Sequence, residues 1–387
     1  MKKVYYLGYY DTDENKEEKR NVTLAATNKM TYIVEALEKS GFEIEIVSPS
    51  TTSNATTYCG KVIPICNHSR VRLFRTTPWG NKFRRIVSVL SMRFQYQRYI
   101  IKNLTKNDTL IVYHSMEFIN FIIKAKKKIG FKLVLEMEEI YSDISGIQKN
   151  KEREIELSSF ADAFIFPSEL LNEKINVSKK PYIITHGTYK IEPPITEKFN
   201  DGKIHIVYAG TFDPKKGGVF IAIESAKWLD ENYHLHVLGA GTKKNEELVF
   251  NLINSVNRQT DCTVTFDGLL TGKNFCEFLQ KCDIGLSTQN PNFIFNDTSF
   301  PSKVLTYLSN GLRVVSVRIP VLESSGVSDL LYYYEGEEPE TLSNTIKSIC
   351  LSDLYDSRET VESLNVKFIN DVHRILCCRC NDESDKR

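Results

Sequence analysis

"NDTSFPSKVLTYLSNGLRVVS", Asn296 to Ser316, runs from a polar loop through Phe-Pro-Ser-Lys into an amphipathic helical pattern, an Asn-Gly stop and an apolar strand pattern. Pro301 stands where a first helical residue would be, and its fixed φ preorganises a helix start. Ser302 and Lys303 follow in the first turn, where N–H groups without intrahelical partners lie beside a cation. A lysine there opposes the helix dipole, so the arrangement makes sense if an anion outweighs that cost. Asn310-Gly311 then ends the helix. Strand, loop, helix and strand in this order form the repeating unit of a doubly wound α/β sheet.

The same unit recurs in both directions along the chain. "IHIVYAG", "YHLHVLG", "TVTFDG", "IGLSTQ" and "LRVVSVR" are strand patterns separated by helical ones. Upstream, "KVYYLGYY", "EIEIVSPS", "LIVYHS", "KLVLEMEE", "AFIFPS" and "YIITHG" alternate with helical segments such as 28–40, 116–128 and 152–160. "KVIPIC" and "RVRLF" add a hairpin. Between the series, Lys190–Gly202 holds two prolines and many charges without periodicity, and reads as a linker. A chain of 387 residues exceeds what one core usually holds. The expectation is therefore two parallel-sheet, Rossmann-like α/β domains, residues 1–195 and 196–358. A C-terminal helix and polar tail, 359–387, cap the second domain or return to the first. In such sheets ligands bind outside the carboxyl ends of the strands, so both sets are expected to face one cleft.

Bulk numbers narrow the field further. A hydrophobic fraction of 41% with 26% charged residues suits a soluble globular protein, and the formal charge of +1 predicts no partner by itself. Nine cysteines are irregularly spaced, and the opening apolar run stops at Asp11 without a cleavage site, so reduced thiols in a cytosol are expected. Cys377-Cys378-x-Cys380 is too tightly spaced for ordinary zinc binding. No stretch is long and apolar enough for a membrane span.

"YAGTFDPKKGG", Tyr208 to Gly218, repeats the phosphate device: a buried strand, Gly210 for a tight turn, then Lys215, Lys216 and a glycine pair at the next helix start. Two such loops in one sheet suit a diphosphate. No acidic pair lies near either, so no metal and no cofactor are expected, the lysines taking a cation's role.

"GTFDPKKG", "VLGAG", "VTFDG" and "FPSKVLTYLSNG" occur in this order, and together the second half resembles the donor half of glycosyltransferase family 4, retaining nucleotide-sugar enzymes of the GT-B fold. The likeness covers roughly Ile204 to Ile319; the first half shares only the architecture. The resemblance implies that Gly210 and Lys216 help hold a donor diphosphate, with Thr211 standing where the family has arginine, and that Gly239 is among the donor-binding residues. The family's two glutamates, eight positions apart, correspond to Thr298 and Thr306. A branch of the family writes Phe-Pro-Ser-Lys, which puts Lys303 at the diphosphate. Ser299, Phe300, Pro301 and Ser302 would line the donor, and Thr306, Tyr307 or Asp297 would take hydroxyl contacts. Phe266–Gly268 resembles the loop framing the nucleobase, and His186–Thr188 the loop closing the first domain.

In the first half, His114 ends one strand and Glu136, Glu138 and Glu139 end the next. His114 is a candidate to orient a sugar or an acceptor hydroxyl. Glu138 is a candidate base, and Glu138 and Glu139 are candidate acceptor contacts. The resemblance implies instead that the donor phosphate takes the proton. Asp11-Thr12-Asp13 imitates the metal-binding carboxylates of another transferase fold and is discounted.

From Val47 to Asn107 there is no acidic residue but eleven basic ones. Within it, 81–103 has helical period, with Phe83, Val87, Leu90, Phe94 and Ile101 in one stripe and Arg84, Ser88, Ser91, Gln95, Arg98 and Lys102 in another. With Trp79 just before it, Lys82–Lys106 offers an interface to an anionic membrane surface; the alternative is an ordinary helix with a solvated basic face. No nucleic-acid motif accompanies the charge.

The expectation is thus a retaining, metal-independent hexosyltransferase, Lys216, Lys303, His114 and Glu138 carrying the chemistry. It would move a sugar from a nucleotide-sugar, UDP-sugar foremost, to a glycan or lipid-linked acceptor in surface polysaccharide synthesis, in the cytoplasm at the inner membrane face. The alternatives are a non-catalytic sugar-binding or partner subunit of the same fold, and a nucleotide-sugar epimerase or hydrolase.

Overall fold

The computed structural model describes residues 1–141, 148–214 and 218–377. Lys215, Lys216 and Gly217 of the first phosphate motif, and Cys378 and Cys380 of the tail, lie outside the described residues. The chain divides into two compact units, Met1–Thr188 together with Val366 onward, and Tyr189–Asn365.

The first unit is built on strands β1 (Lys2–Leu7), β2 (Phe42–Ser48), β3 (Lys61–Pro64), β4 (Arg70–Leu73), β5 (Thr109–Tyr113), β6 (Lys132–Glu136), β7 (Ala163–Phe166) and β8 (Tyr182–Ile184). They form one sheet in the order β3-β4-β2-β1-β5-β6-β7-β8. Every pair is parallel except the β3–β4 hairpin. The central strands are continuous apolar runs because helices cover both faces of a parallel sheet. Val4, Leu7, Leu110, Val112, Leu133 and Leu135 are accordingly almost wholly buried. Order reverses between β1 and β5, where the chain opens a crevice at the carboxyl ends. The end of the C-terminal helix (Ser357–Cys377) belongs to this unit, with Phe368 stacked on Tyr32 at 5.4 Å and the Ile369 carbonyl accepting from Ser40.

The second unit holds β9 (Ile204–Phe212), β10 (Tyr233–Gly241), β11 (Thr263–Gly268), β12 (Ile284–Ser287), β13 (Arg313–Val317) and β14 (Leu331–Tyr334). Their order is β11-β10-β9-β12-β13-β14, all parallel, which is the Rossmann arrangement with its switch point between β9 and β12. β14 is an addition to the strands expected from sequence: "LYYY" lies beside polar residues on both sides and reads poorly as a buried run.

Two readings need correction. Pro301 precedes the helix rather than opening it: its ψ of 101° is extended, its carbonyl accepts from Val304 N–H, and the helix runs Ser302–Ser309. The acid-free stretch is not a uniform basic surface. Lys61 pairs with Glu18, Arg70 and Arg72 with Glu45, and Arg93 with Glu117, all carboxylates outside the stretch.

The helix Leu24–Lys39 is α1, and the next, α2 (Lys82–Asn103), starts at Asn81, whose side chain caps the Arg84 N–H. It buries Ser88, Met92, Tyr96 and Ile100, with Tyr96 edge-on to Phe118 and Phe121. The stripe of Phe83, Val87, Leu90, Phe94 and Ile101 instead points outward, Phe83 being 73% and Phe94 64% exposed. Among the described residues no helix is long and apolar enough to cross a membrane.

Candidate functional site

In the second unit the carboxyl end of β9, the end of β10 and the start of the Ser302–Ser309 helix converge. Gly239 has φ of +140°, and a Cβ there would stand 1.8 Å from the Gly210 carbonyl oxygen, so only glycine fits. A Cβ on Gly210 would meet the Tyr208 hydroxyl at 2.9 Å and the Lys303 Nζ at 3.2 Å. Lys303 therefore reaches back over the strand end, its ammonium 4.4 Å from the centroid of the Tyr208 ring. Tyr307, on the same helix, is fully buried against Gly285 and accepts from the Ala209 N–H at 2.9 Å. That contact ties the helix to β9.

Among the described residues no side-chain cap hydrogen bond is made at the amino end of the Ser302–Ser309 helix. Its first-turn amides and Lys303 belong to the same turn, the arrangement helix starts use for anions. Ser299 Oγ is enclosed without a hydrogen-bond partner just before this start. Thr298 is buried, whereas Thr306 is half-buried and its hydroxyl donates to the Ser302 carbonyl. Phe300 is buried, Pro301 is half-buried and Ser302 exposed. Thr211 lies exposed in β9. Phe266 packs edge-on to Phe212 and Phe250, and Gly268 ends β11. Tyr307, offered by the sequence as a hydroxyl contact, is instead a buried strut between this helix and β9, and Tyr208, not singled out in the sequence, serves as a platform under Lys303.

The first unit presents a different edge. A cavity of about 460 Å³ opens there, lined by Tyr9, Met92, Tyr113, His114, Glu117 and Tyr141 among others. Tyr9, His114 and Tyr141 each follow the end of a strand, β1, β5 and β6. His114 is 2% exposed, neither ring nitrogen has a hydrogen-bond partner, and its ring stacks on Tyr141 at 5.1 Å. Burial pushes its pKa down to about 4, so it is neutral at ordinary pH. The Glu154 carboxylate stands 3.5 Å from its Nε2.

Glu138 and Glu139 do not line this cavity. Glu138 is 3.4 Å from the buried Lys29 ammonium, which also donates to the Thr185 carbonyl. Glu136 is wholly buried and accepts from the Tyr6 hydroxyl. Burial and the neighbouring Glu138 charge both raise its pKa. The tyrosines of this edge were not singled out from sequence, because their convergence depends on strand order.

No protein-family model and no curated protein matches the sequence. Solved structures do match the fold. The E. coli trehalose-6-phosphate structure bound with UDP-2-fluoro glucose superposes with a TM-score of 0.68 at 8% identity, covering 97% of this chain and 99% of that one. The α,α-trehalose 6-phosphate synthase of Burkholderia multivorans gives 0.64 at 8%, covering 97% and 94%. HepE of Anabaena in complex with UDP gives 0.59 at 12%, covering 97% of both chains. These likenesses show the fold: two parallel-sheet, Rossmann-like domains of the GT-B type.

Proposed function

We propose that this GT-B chain is a retaining glycosyltransferase that takes a sugar from a nucleoside diphosphate sugar, UDP-sugar foremost, and transfers it to a glycan or lipid-linked hydroxyl for surface polysaccharide synthesis. The observation that carries the reading is the approach of the Lys303 ammonium to Gly210 at a helix start without a side-chain cap. As the sugar leaves, negative charge grows on the diphosphate. A cation and aligned amides already in place stabilise that charge most in the transition state. Lys216, four positions past β9 in sequence, adds a second cation in this account, and Gly210 and Gly239 let the diphosphate approach the backbone. The chemistry needs no metal at the diphosphate. Phe266–Gly268 frames the base, and Thr298, Ser299 and Thr306 stand nearest the sugar hydroxyls. The UDP, UDP-2-fluoro glucose and glucose held by the structural neighbours agree with this ligand class.

The acceptor belongs, in this reading, to the first-unit cavity. A neutral imidazole that makes no hydrogen bond, set among tyrosines with Glu154 3.5 Å away, suits a hydroxyl, held rather than deprotonated. Glu138, committed to Lys29, is better placed to orient than to accept a proton. α2 carries the enzyme on an anionic membrane at its cytosolic face. Its outward apolar stripe is flanked by Lys82, Arg84, Arg85, Arg98 and Lys102, none paired with a carboxylate among the described residues, and Arg85 covers the Trp79 ring at 5.3 Å. An apolar stripe edged by unneutralised cations matches an anionic lipid surface in both terms.

Incubation with a panel of nucleotide sugars, following nucleoside diphosphate release with and without a glycan-lipid extract, tests the reading. Acceptor-dependent release supports it. Sugar binding without turnover favours the non-catalytic alternative, for which the two threonines at the family's glutamate positions speak.

A further inference from the structure

Three of the chain's seven histidines meet at the amino ends of β9 and β10, at the opposite end of these strands from Gly210 and Gly239. His234 and His236 are two apart on β10 and so share a face; His205 lies directly across from His234 in the parallel register. One ring nitrogen from each lies within 4.8 Å of the other two. His205 and His236 are buried and His234 is half-buried.

The hydrogen count along this cluster does not close. A chain of contacts runs from Asp201 Oδ1 to His205 Nε2 (2.9 Å), from His205 Nδ1 to His236 Nε2 (2.9 Å), and from His236 Nδ1 to Asp267 Oδ2 (3.1 Å). Each of the three contacts needs one hydrogen. Two neutral imidazoles supply one each, and ionised carboxylates supply none. With the outer N–H groups given to the aspartates, two lone pairs face each other across the middle contact. One extra positive charge is required there. Thr265 hydroxyl donates to Asp267 and accepts from His234 Nε2, so the other ring nitrogen of His234 also carries a lone pair.

We infer that His205, His236 and His234 form a binding site for a divalent transition metal ion of the zinc class. Three imidazoles are a complete protein ligand set for such an ion, water taking the fourth position. Outer nitrogens donated to carboxylates are how metal-bound histidines are oriented and made more basic, and Asp201 and Asp267 hold that role here. A shared proton would fill the middle contact alone and leave His234 without a part. Metal entry displaces that proton, spreads the 2.9 Å contact by a few tenths of an ångström, and turns His234 from its stacked position, 4.0 Å from the His236 ring, into the coordination sphere. Phe199, stacked on His205 at 4.1 Å, walls one side, so the ion would pin the segment leading into β9 to the sheet. This site is separate from the proposed diphosphate site and carries no part of that chemistry.

The test uses the full chain without a polyhistidine tag, stripped with chelator and titrated with zinc chloride by calorimetry and thermal melting. One ion per chain should bind and raise the melting temperature. His205→Gln and His236→Gln should each abolish both effects, and His234→Gln and Asp267→Asn should weaken binding by at least roughly tenfold. Cobalt(II) in place of zinc should give the intense visible absorption of four-coordinate nitrogen ligation, a readout that does not depend on the variants. Absence of zinc binding to the native chain, or binding that survives loss of both His205 and His236, overturns the assignment; the extra charge is then a proton.

Discussion

The carboxyl edges of the two sheets share a doubly wound parallel core and carry opposite chemistry. At the end of β9 a glycine pair strips side chains from the backbone, and Lys303 places a cation over Tyr208 beside an uncapped helix start. At the ends of β1, β5 and β6 the walls are tyrosines around a neutral His114, and the nearest buried lysine, Lys29, is already held by Glu138 and a carbonyl. One edge is prepared for concentrated negative charge, the other for an uncharged, hydroxylated ligand. Cations without a carboxylate partner among the described residues instead flank the outward face of α2. The same fold thus sorts charge by which side chain each strand end carries.

The sharpest separation comes from α2. Changing Arg84, Arg85, Arg98 and Lys102 together to Gln should remove about 1 kcal/mol of membrane attraction per residue, weakening sedimentation with anionic vesicles at low salt by more than about a hundredfold. Nucleotide affinity should not move. Equal binding of native protein to neutral vesicles at high salt would break the assignment of those cations to a surface.

Next in size is acid sensitivity at the neutral edge. Folded His114 titrates at about 4, whereas an exposed histidine titrates near 6.5. Between those values the unfolded chain binds more protons, so stability present above pH 6.5 is lost as pH falls toward 4. Melting temperatures of His114→Asn should fall less over that window than those of the native chain. Parallel curves would mean that this edge is not kept neutral by His114.

Gly239→Ala sharpens the other side. It forces a side chain into a left-handed φ and against the Gly210 carbonyl, and should cost at least about 2 kcal/mol in urea unfolding. A fully stable variant would show that the strand ends are not locked together. Thr306→Glu is the gentlest change. It restores the acidic residue of the resembled family at a half-buried position, and should alter nucleotide affinity by less than about tenfold while leaving turnover nearly unchanged, as steady-state kinetics would show.

What the sequence disclosed follows from how local each signal is. Thirteen of the strands were legible because parallel strands are apolar runs bounded by turn residues, and Lys303 because Phe-Pro-Ser-Lys is contiguous. The ion pairs of Arg70 and Arg72 were not, since Glu45 sits 25 and 27 positions away and only strand register brings it alongside. Besides the stripe from Phe83 to Ile101, α2 carries the apolar residues Met92, Tyr96 and Ile100, and periodicity cannot say which set Phe118 and Phe121 will cover. The histidine cluster likewise needed the pairing of His205 with His234. The tyrosines around His114 come from three strand ends whose adjacency depends on the crossover order.

The central claim is that Lys303 meets a diphosphate, and calorimetric titration of UDP into the native chain and into Lys303→Ala measures it directly. A charge-assisted contact of this kind contributes about 1.5–3 kcal/mol, so the variant should bind UDP roughly 10- to 100-fold more weakly while melting at the native temperature. Undiminished UDP affinity in a folded Lys303→Ala protein would contradict the account and leave the Ser302–Ser309 helix a structural element only.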